Sequence, residues 1–272
     1  MITNLIYFQA FVIGTCIGSF LNVIIFRFPN NLSIISPRSF CPRCKNQLTW
    51  RENIPFVSWL IQGRKCITCK KTIPFRYPLI ELCTGAFFAV FVNSSPSLYA
   101  YSSNLVINTS FSWIFLSLLI CIAFIDIDCL WIPQGLLNFG FISGLLGLIF
   151  ISIISNEFID LIFLFKGVGS SLISFFIFEI FRSVAKYIFK KDAIGKGDSK
   201  LVAMLALWLG PIGTLFAVGF SYIFAAIYCF VGLSMNFLRY RQAIPFAPFI
   251  SLGGLTVWFL GNEFIMLKIL HI

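Results

Sequence analysis

Apolar runs of about 20 residues recur along this chain, separated by short polar segments. They fall at roughly Leu5–Phe26, Ile73–Val92, Leu105–Ile125, Ile132–Ile154, Phe158–Phe181, Ser199–Leu209, Ile212–Leu238 and Phe246–Gly261. A helix rising 1.5 Å per residue crosses a bilayer in a run of this length. The pattern predicts an all-α, polytopic membrane protein with about eight transmembrane helices and a long polar loop after the first. The Ser199–Leu209 run is short and Gly210-Pro211 closes it, so a tight turn or an interrupted span is expected there. The chain then divides into a first helix (1–26), a polar loop (27–76) and a membrane core (77–272). No internal repeat is visible at the level of motif. The first basic residue is Arg27, so the opening run lacks the basic lead of a cleaved signal and is expected to stay as a helix.

Charge orients these spans. Ten of the 20 Lys and Arg residues lie between Arg27 and Arg76, six between Arg182 and Lys200, and two at Arg239 and Arg241. Eight alternating spans put all three segments on one side. The opposite segments, such as Asn93–Asn104, hold almost no basic residues. The positive-inside rule makes the basic side cytoplasmic and sends both termini outside. The net charge of +10 is therefore first a topology signal, with anionic lipid headgroups as a secondary partner. Nucleic acid is not an expected partner, because the basic residues follow the spans and form no separate domain. The 34 Phe residues suit lipid-facing and interhelical packing. The sequence sets no oligomeric state.

The polar loop carries Cys41-Pro42-Arg43-Cys44 and Cys66-Ile67-Thr68-Cys69, two C-x2-C pairs with 21 residues between them. The spacing is close to that of a zinc ribbon, one residue beyond its usual range; four such thiolates would fill a tetrahedral Zn²⁺ site, and a closed site is structural rather than catalytic. Two disulfides are the alternative, but a loop on the cytoplasmic side stays reduced. A metal would stabilise a loop too short and polar to build much core. Cys16, Cys83, Cys121, Cys129 and Cys229 lie in or beside spans, where small packing residues are expected.

Two aspartates stand out. Asp126 follows the Leu105–Ile125 run, and Asp198 closes Gly195-Lys196-Gly197-Asp198 just before another. A carboxylate at a bilayer edge is costly without a partner or a task. The charge count puts both on the cytoplasmic side. Asp126 and Asp128 are two residues apart and do not share a helix face, so only one should meet a common target. Asp198 alone would also suit an N-cap, and Asp126 alone a solvated helix exit. Brought together, the two can hold a single proton between them, as in the aspartic proteases. One would then take a proton from water while the other donates to a carbonyl oxygen. No Ser/His/Asp triad is available, since the single histidine, His271, is expected at the surface near the C-terminus. A transporter relaying protons through the same carboxylates, or a membrane scaffold docking a partner through its zinc loop, remain open at this point. Gly14 and Gly18 predict close helix packing, and Asn22 a hydrogen bond to another helix. Glu81 and Glu179, near span ends, are expected to face water or a basic neighbour, with Glu81 a candidate to support the site.

At these residues the chain resembles the bacterial type IV prepilin peptidases. Gly18-Ser19-Phe20-Leu21-Asn22-Val23-Ile24 with Arg27 and Pro29 matches the family's first-helix signature. Pro37-Arg38-Ser39 leads into the first cysteine pair, and Trp50-Arg51-Glu52-Asn53-Ile54-Pro55 with Ser58-Trp59-Leu60 matches the segment between the pairs. Arg76-Tyr77-Pro78-Leu79-Ile80-Glu81-Leu82 matches the entry to the second span. Asp126 with Pro133 matches the first catalytic motif, and Gly195-x-Gly197-Asp198 with Lys200 and Leu201 matches the second, called GxGD. Ile244-Pro245-Phe246-Ala247-Pro248 matches a late Pro-Phe-Gly-Pro motif. The resemblance implies an aspartyl endopeptidase of the bacterial cytoplasmic membrane. It would cut the basic leader from type IV prepilins or type II secretion pseudopilins after a glycine. In many members N-methylation from S-adenosylmethionine follows. It also implies Asp126 and Asp198 as the catalytic pair, with Asp128, Gly195, Gly197 and Lys200 in support and Cys41, Cys44, Cys66 and Cys69 as zinc ligands. No Gly-rich nucleotide loop marks a site for the methyl donor. Glu52 or Asp128 is a candidate to receive a basic leader. Three positions depart from the family pattern: Gln134 stands where Asp is usual, Ala247 replaces a glycine, and Arg64 stands where Gly is frequent in a segment tied to methylation.

Overall fold

The computed structural model describes residues 2–93, 105–155, 159–190, 195–239 and 242–261. His271 and most of the Asn93–Asn104 segment lie outside the described residues. The chain divides into two compact units, Met1–Val92 and Asn93–Ile272. Among the described residues the regular elements are helical. Four helices are long and apolar enough to cross a membrane (Asn4–Arg27, Val106–Cys129, Leu164–Ile188 and Lys196–Ser234), and Gln134–Phe150 and Ala247–Leu260 are shorter apolar helices.

The first unit pairs helix α1 (Ile2–Arg27) with α3 (Arg76–Val90), and the loop between them carries the one-turn helix α2 (Val57–Ile61). Small residues allow the pairing. A Cβ on Gly18 would stand 2.8 Å from Glu81 Cα, and one on Gly14 would stand 2.8 Å from Gly85 Cα. Backbones meet there without side chains between them, as the spacing predicts. Asn22 donates from Nδ2 to the Tyr77 carbonyl at 3.1 Å, the expected bond to another helix. Arg27, at the end of α1, is buried. Its guanidinium donates to the carbonyls of Ser33 and Pro37 at 2.8 Å each, and to those of Ile34 and Arg38. The side chain that ends the helix thus gathers the loop that follows it.

The second unit is built from α4 (Leu105–Cys129), α5 (Gln134–Ser155), α6 (Ile159–Phe189), α7 (Lys196–Ser234) and α8 (Ala247–Leu260). Helix α7 breaks at Gly210, whose φ of 73° and ψ of −179° no helix contains. Glycine takes that conformation without a Cβ penalty, and Pro211 then supplies no N–H to the preceding turn. A straight helix would separate residues 198 and 222 by about 36 Å. Tyr222 instead lies within electrostatic reach of Asp198, so the chain doubles back at Gly210. The interruption predicted at Gly210-Pro211 is therefore a hairpin of two helical arms.

The first arm explains its own shortness. Residues 201–209 are all buried, so protein rather than lipid surrounds them. Trp208 sits in this arm beside Phe115, whose ring is 5.1 Å from it and 4.4 Å from Trp258. Both indole N–H groups are satisfied, Trp208 by the Gly140 carbonyl at 2.9 Å and Trp258 by Ser112 Oγ at 3.1 Å. Helix α6 is the opposite case. Phe165, Ile173, Phe176, Ile177 and Ile180 stand exposed along it, the surface a lipid-facing helix presents. It also runs past the apolar stretch that predicted it, through Arg182 and Lys186, because backbone hydrogen bonding does not stop where hydrophobicity does.

Candidate active site and metal centre

In the first unit the four predicted cysteines come together. Their Sγ atoms all lie within 4.8 Å of one another, with Cys41 and Cys69 at 3.9 Å. A tetrahedron of 2.3 Å metal–sulfur bonds has edges of about 3.8 Å. Two matching turns make the cluster. In the first, Lys45 N–H bonds back to the Cys41 carbonyl and Cys41 N–H to the Asn46 carbonyl, both at 2.9 Å. In the second, Lys70 and Lys71 serve Cys66 in the same way and at the same distances. Lys45 and Lys70 both take positive φ, 58° and 56°. The structural repeat is plain although the two sequences share little beyond the cysteines. The Cys69 amide, against the opposing effect of burial, draws the Cys66 thiol down to about 7, whereas against the lowering effect of the Asn46 amide, burial and the three neighbouring thiols push Cys44 up to about 11. Of the remaining cysteines, Cys121 is buried, Cys229 is half-buried, and Cys16, Cys83 and Cys129 are exposed.

Arg64, the departure beside this cluster, has a φ of 65°. That is glycine's natural region, and an L-residue there costs about 1–2 kcal/mol. Its guanidinium lies 5.0 Å from the centre of the Trp59 ring, a contact that offsets about 0.5–1 kcal/mol. Glycine would lose the contact and add about 0.5–1 kcal/mol of backbone entropy cost. The terms nearly cancel. Arg64→Gly is expected to keep its metal content and to shift stability by under about 1 kcal/mol in thermal unfolding. A large loss of either would show that Arg64 has a role beyond this turn.

The second unit carries both aspartates. Helix α4 continues to Cys129, so Asp126 lies within the helix rather than at its exit, and it is 5% exposed. Asp128, two residues on, is exposed. Asp198 is the third residue of α7, not its cap, and is 8% exposed. Both carboxylates accept backbone amides: Asp126 Oδ2 from Ala247 N–H at 3.0 Å, with the Phe246 amide beside it, and Asp198 Oδ2 from Gly195 N–H at 3.1 Å. The two charges lie within electrostatic reach of each other. Two buried carboxylates so placed share a proton more readily than they bear two charges.

The residues around the pair explain the motifs. Gly197 allows close approach: a Cβ there would meet Ile132 Cβ at 3.0 Å and Cγ1 at 3.1 Å. Gly197→Ala should destabilise the protein by about 1–3 kcal/mol, and adding Ile132→Ala should recover part of the loss. Unchanged melting in Gly197→Ala would refute the contact's importance. Lys200 Nζ donates to Gln134 Oε1 at 2.6 Å, and Gln134 Nε2 donates to Asn138 Oδ1 at 2.9 Å. Ala247 opens α8 in ordinary helical backbone, so this position does not need the glycine it replaces.

Three contacts had no signal in the sequence. The late Pro-Phe motif supplies the amide on Asp126. Ser199, fully buried, donates to Glu179 Oε1 at 2.7 Å, while Arg182 pairs with Glu179 Oε2 at 2.6 Å. Glu179 therefore does face a basic neighbour, and it also ties α6 to the start of α7. Tyr222, on the returning arm of α7, packs its ring 5.4 Å from Phe246.

Comparison with known proteins adds the following. Residues 12–94 match the bacterial peptidase A24 N-terminal domain, and residues 113–230 match the type IV leader peptidase family. A "prepilin leader peptidase/N-methyltransferase" of Myxococcus xanthus is 37% identical over 204 residues, which cover 73% of this chain and 55% of that protein. A protein of the same name from Bacillus subtilis is 32% identical over 256 residues, covering 94% of each. A "type 4 prepilin-like proteins leader peptide-processing enzyme" of Escherichia coli is 31% identical over 269 residues, covering 92% of this chain and 93% of that protein. No solved structure matches the chain.

Proposed function

Because the chain belongs to the type IV leader peptidase family, we propose that it is a membrane aspartyl endopeptidase with Asp126 and Asp198 as its catalytic pair. It cuts the basic leader from prepilin-type substrates, type IV prepilins or type II secretion pseudopilins, after a glycine. The observation that carries this is two buried carboxylates on separate helices within electrostatic reach of each other, each accepting a backbone N–H. The ionised aspartate accepts a proton from water as its oxygen attacks the scissile carbonyl. The protonated one donates to the carbonyl oxygen. Collapse of the tetrahedral intermediate breaks the C–N bond, and the departing nitrogen takes up a proton. No covalent enzyme intermediate forms. Gly197, Gly195 and Lys200 set the position of Asp198.

Cys41, Cys44, Cys66 and Cys69 would hold a structural Zn²⁺, whose four thiolates leave no open position. The N-methyltransferase named in the relatives supports a second step on the new N-terminus, in which S-adenosylmethionine supplies the methyl group. The protein is an integral membrane protein. Charge distribution supports a bacterial cytoplasmic-membrane location, about eight crossings with the two arms of α7 counted separately, the zinc loop and aspartates on the cytoplasmic side, and both termini outside.

Purified full-length protein in detergent should cleave a synthetic prepilin, with mass spectrometry placing the cut after a glycine. A folded, zinc-loaded protein that leaves several prepilins intact would overturn the proposal and favour a transporter or scaffold.

A further inference from the structure

Residues 1–92 contain ten Lys and Arg but only two acidic residues, Glu52 and Glu81. Both line one cavity of about 290 Å³ within the first unit. Glu81 is 8% exposed and accepts Phe56 N–H at 2.7 Å, and Ser19 and Asn22 hydrogen-bond to it. No Lys or Arg among the described residues makes an ion pair with it. Arg27, Arg43 and Lys71 border the same cavity; the Arg27 guanidinium is committed to four loop carbonyls, and Glu52 Oε2 accepts the Thr49 N–H and hydroxyl at 2.8 Å. Phe40 and Trp59 supply aromatic wall. A buried carboxylate without a counter-cation is costly, and here it opens on space that could hold one. The cavity is near the small end of ligand pockets, about 300–1,000 Å³. It suits a single cationic group with its neighbouring atoms rather than a length of peptide. One carboxylate already held by neutral donors is a poor divalent-metal site.

We propose that this cavity binds an organic cation, with Glu81 as its buried counter-charge and Glu52 as a second carboxylate in its lining. Two reactants of the proposed function carry such a group: the sulfonium of a methyl donor, and a Lys or Arg side chain of the substrate leader. The choice of probes rests on that function, whereas the unpaired carboxylate and its cavity do not.

The test measures equilibrium binding to the full-length protein in detergent, with no turnover required, so failure of cleavage and failure of this site read separately. The probes are S-adenosylmethionine against its neutral thioether, S-adenosylhomocysteine, and a basic leader peptide against the same peptide with Gln for its Lys and Arg. Each is measured on wild type and on Glu81→Gln. The variant should lose about 30-fold or more in affinity for one cationic probe and little for its neutral counterpart. Loss for the sulfonium assigns the site to the methyl donor, and loss for the basic peptide assigns it to the leader. No loss for either, in a variant that keeps its zinc and its melting temperature, overturns the proposal. If Glu81→Gln does not fold, the wild type decides: failure to favour either cationic probe over its neutral form overturns it equally.

Discussion

Asp126→Asn and Asp198→Asn are each expected to cut the rate of leader cleavage by about 10²–10⁴-fold while leaving a folded, membrane-inserted protein. The amide is nearly the same size as the carboxylate, and its oxygen can still accept the bond from Ala247 or from Gly195. Packing therefore changes little. What is lost is the proton chemistry. Asn cannot take a proton from water, nor deliver one to a carbonyl oxygen. KM should move less than kcat, because the pair acts mainly on the transition state. Equal thermal stability and metal content in wild type and variants would show that the loss is chemical. Full cleavage in either variant would remove that residue from the pair. A scaffold would tolerate both changes.

Cys41→Ser or Cys69→Ser should have the largest effect on stability. Metal binding of about 10–16 kcal/mol stabilises small four-thiolate sites, and the loop between α1 and α3 has few other means of support. Among its described residues it has the short helix α2, a 3-10 turn at Arg51–Asn53, two isolated bridges and the carbonyl cluster around Arg27. With three thiolates the affinity falls and the two turns lose the ion that joins them. The expected results are loss of stoichiometric zinc and rapid proteolysis within residues 28–75, with lower abundance as a consequence. Acid should do the same to wild type, since protons compete with zinc for the thiolates as pH falls. A Cys41→Ser protein that keeps zinc and resists protease would contradict a structural site. One that is abundant and stable but metal-free and inactive would point to a catalytic role for the metal.

Much of this was legible in the sequence because it is local. The apolar runs locate the helices to within about four residues, apart from the end of α6, which runs on from Phe181 to Phe189, and the C-x2-C pairs locate the cysteine cluster. Gly210-Pro211 marks the interruption of α7, although not that its arms lie side by side. The failures have a common cause. Ala247 and Asp126 are 121 residues apart, and nothing near either announces the bond between them. Ser199 and Glu179 are 20 apart, on different helices, and each is unremarkable in its own segment. Glu81 was expected near water or a basic neighbour and is instead buried against a backbone amide, because the loop before α3 folds over it. Asp198 has the composition of a cap, yet the helix starts two residues earlier, at Lys196, and turns its carboxylate back to Gly195. Local pattern specifies which helices form, and the contacts between them decide what each polar side chain meets.

A double-mutant cycle on the cleavage rate tests whether Asp126 and Asp198 act as one unit. Wild type, Asp126→Asn, Asp198→Asn and the double variant would be compared on one synthetic prepilin at equal zinc content. Residues that act as a unit give strongly non-additive losses. The double variant is therefore predicted to be about as slow as either single variant. Losses that multiply, or a single variant that still cleaves at the wild-type rate, would contradict the pair.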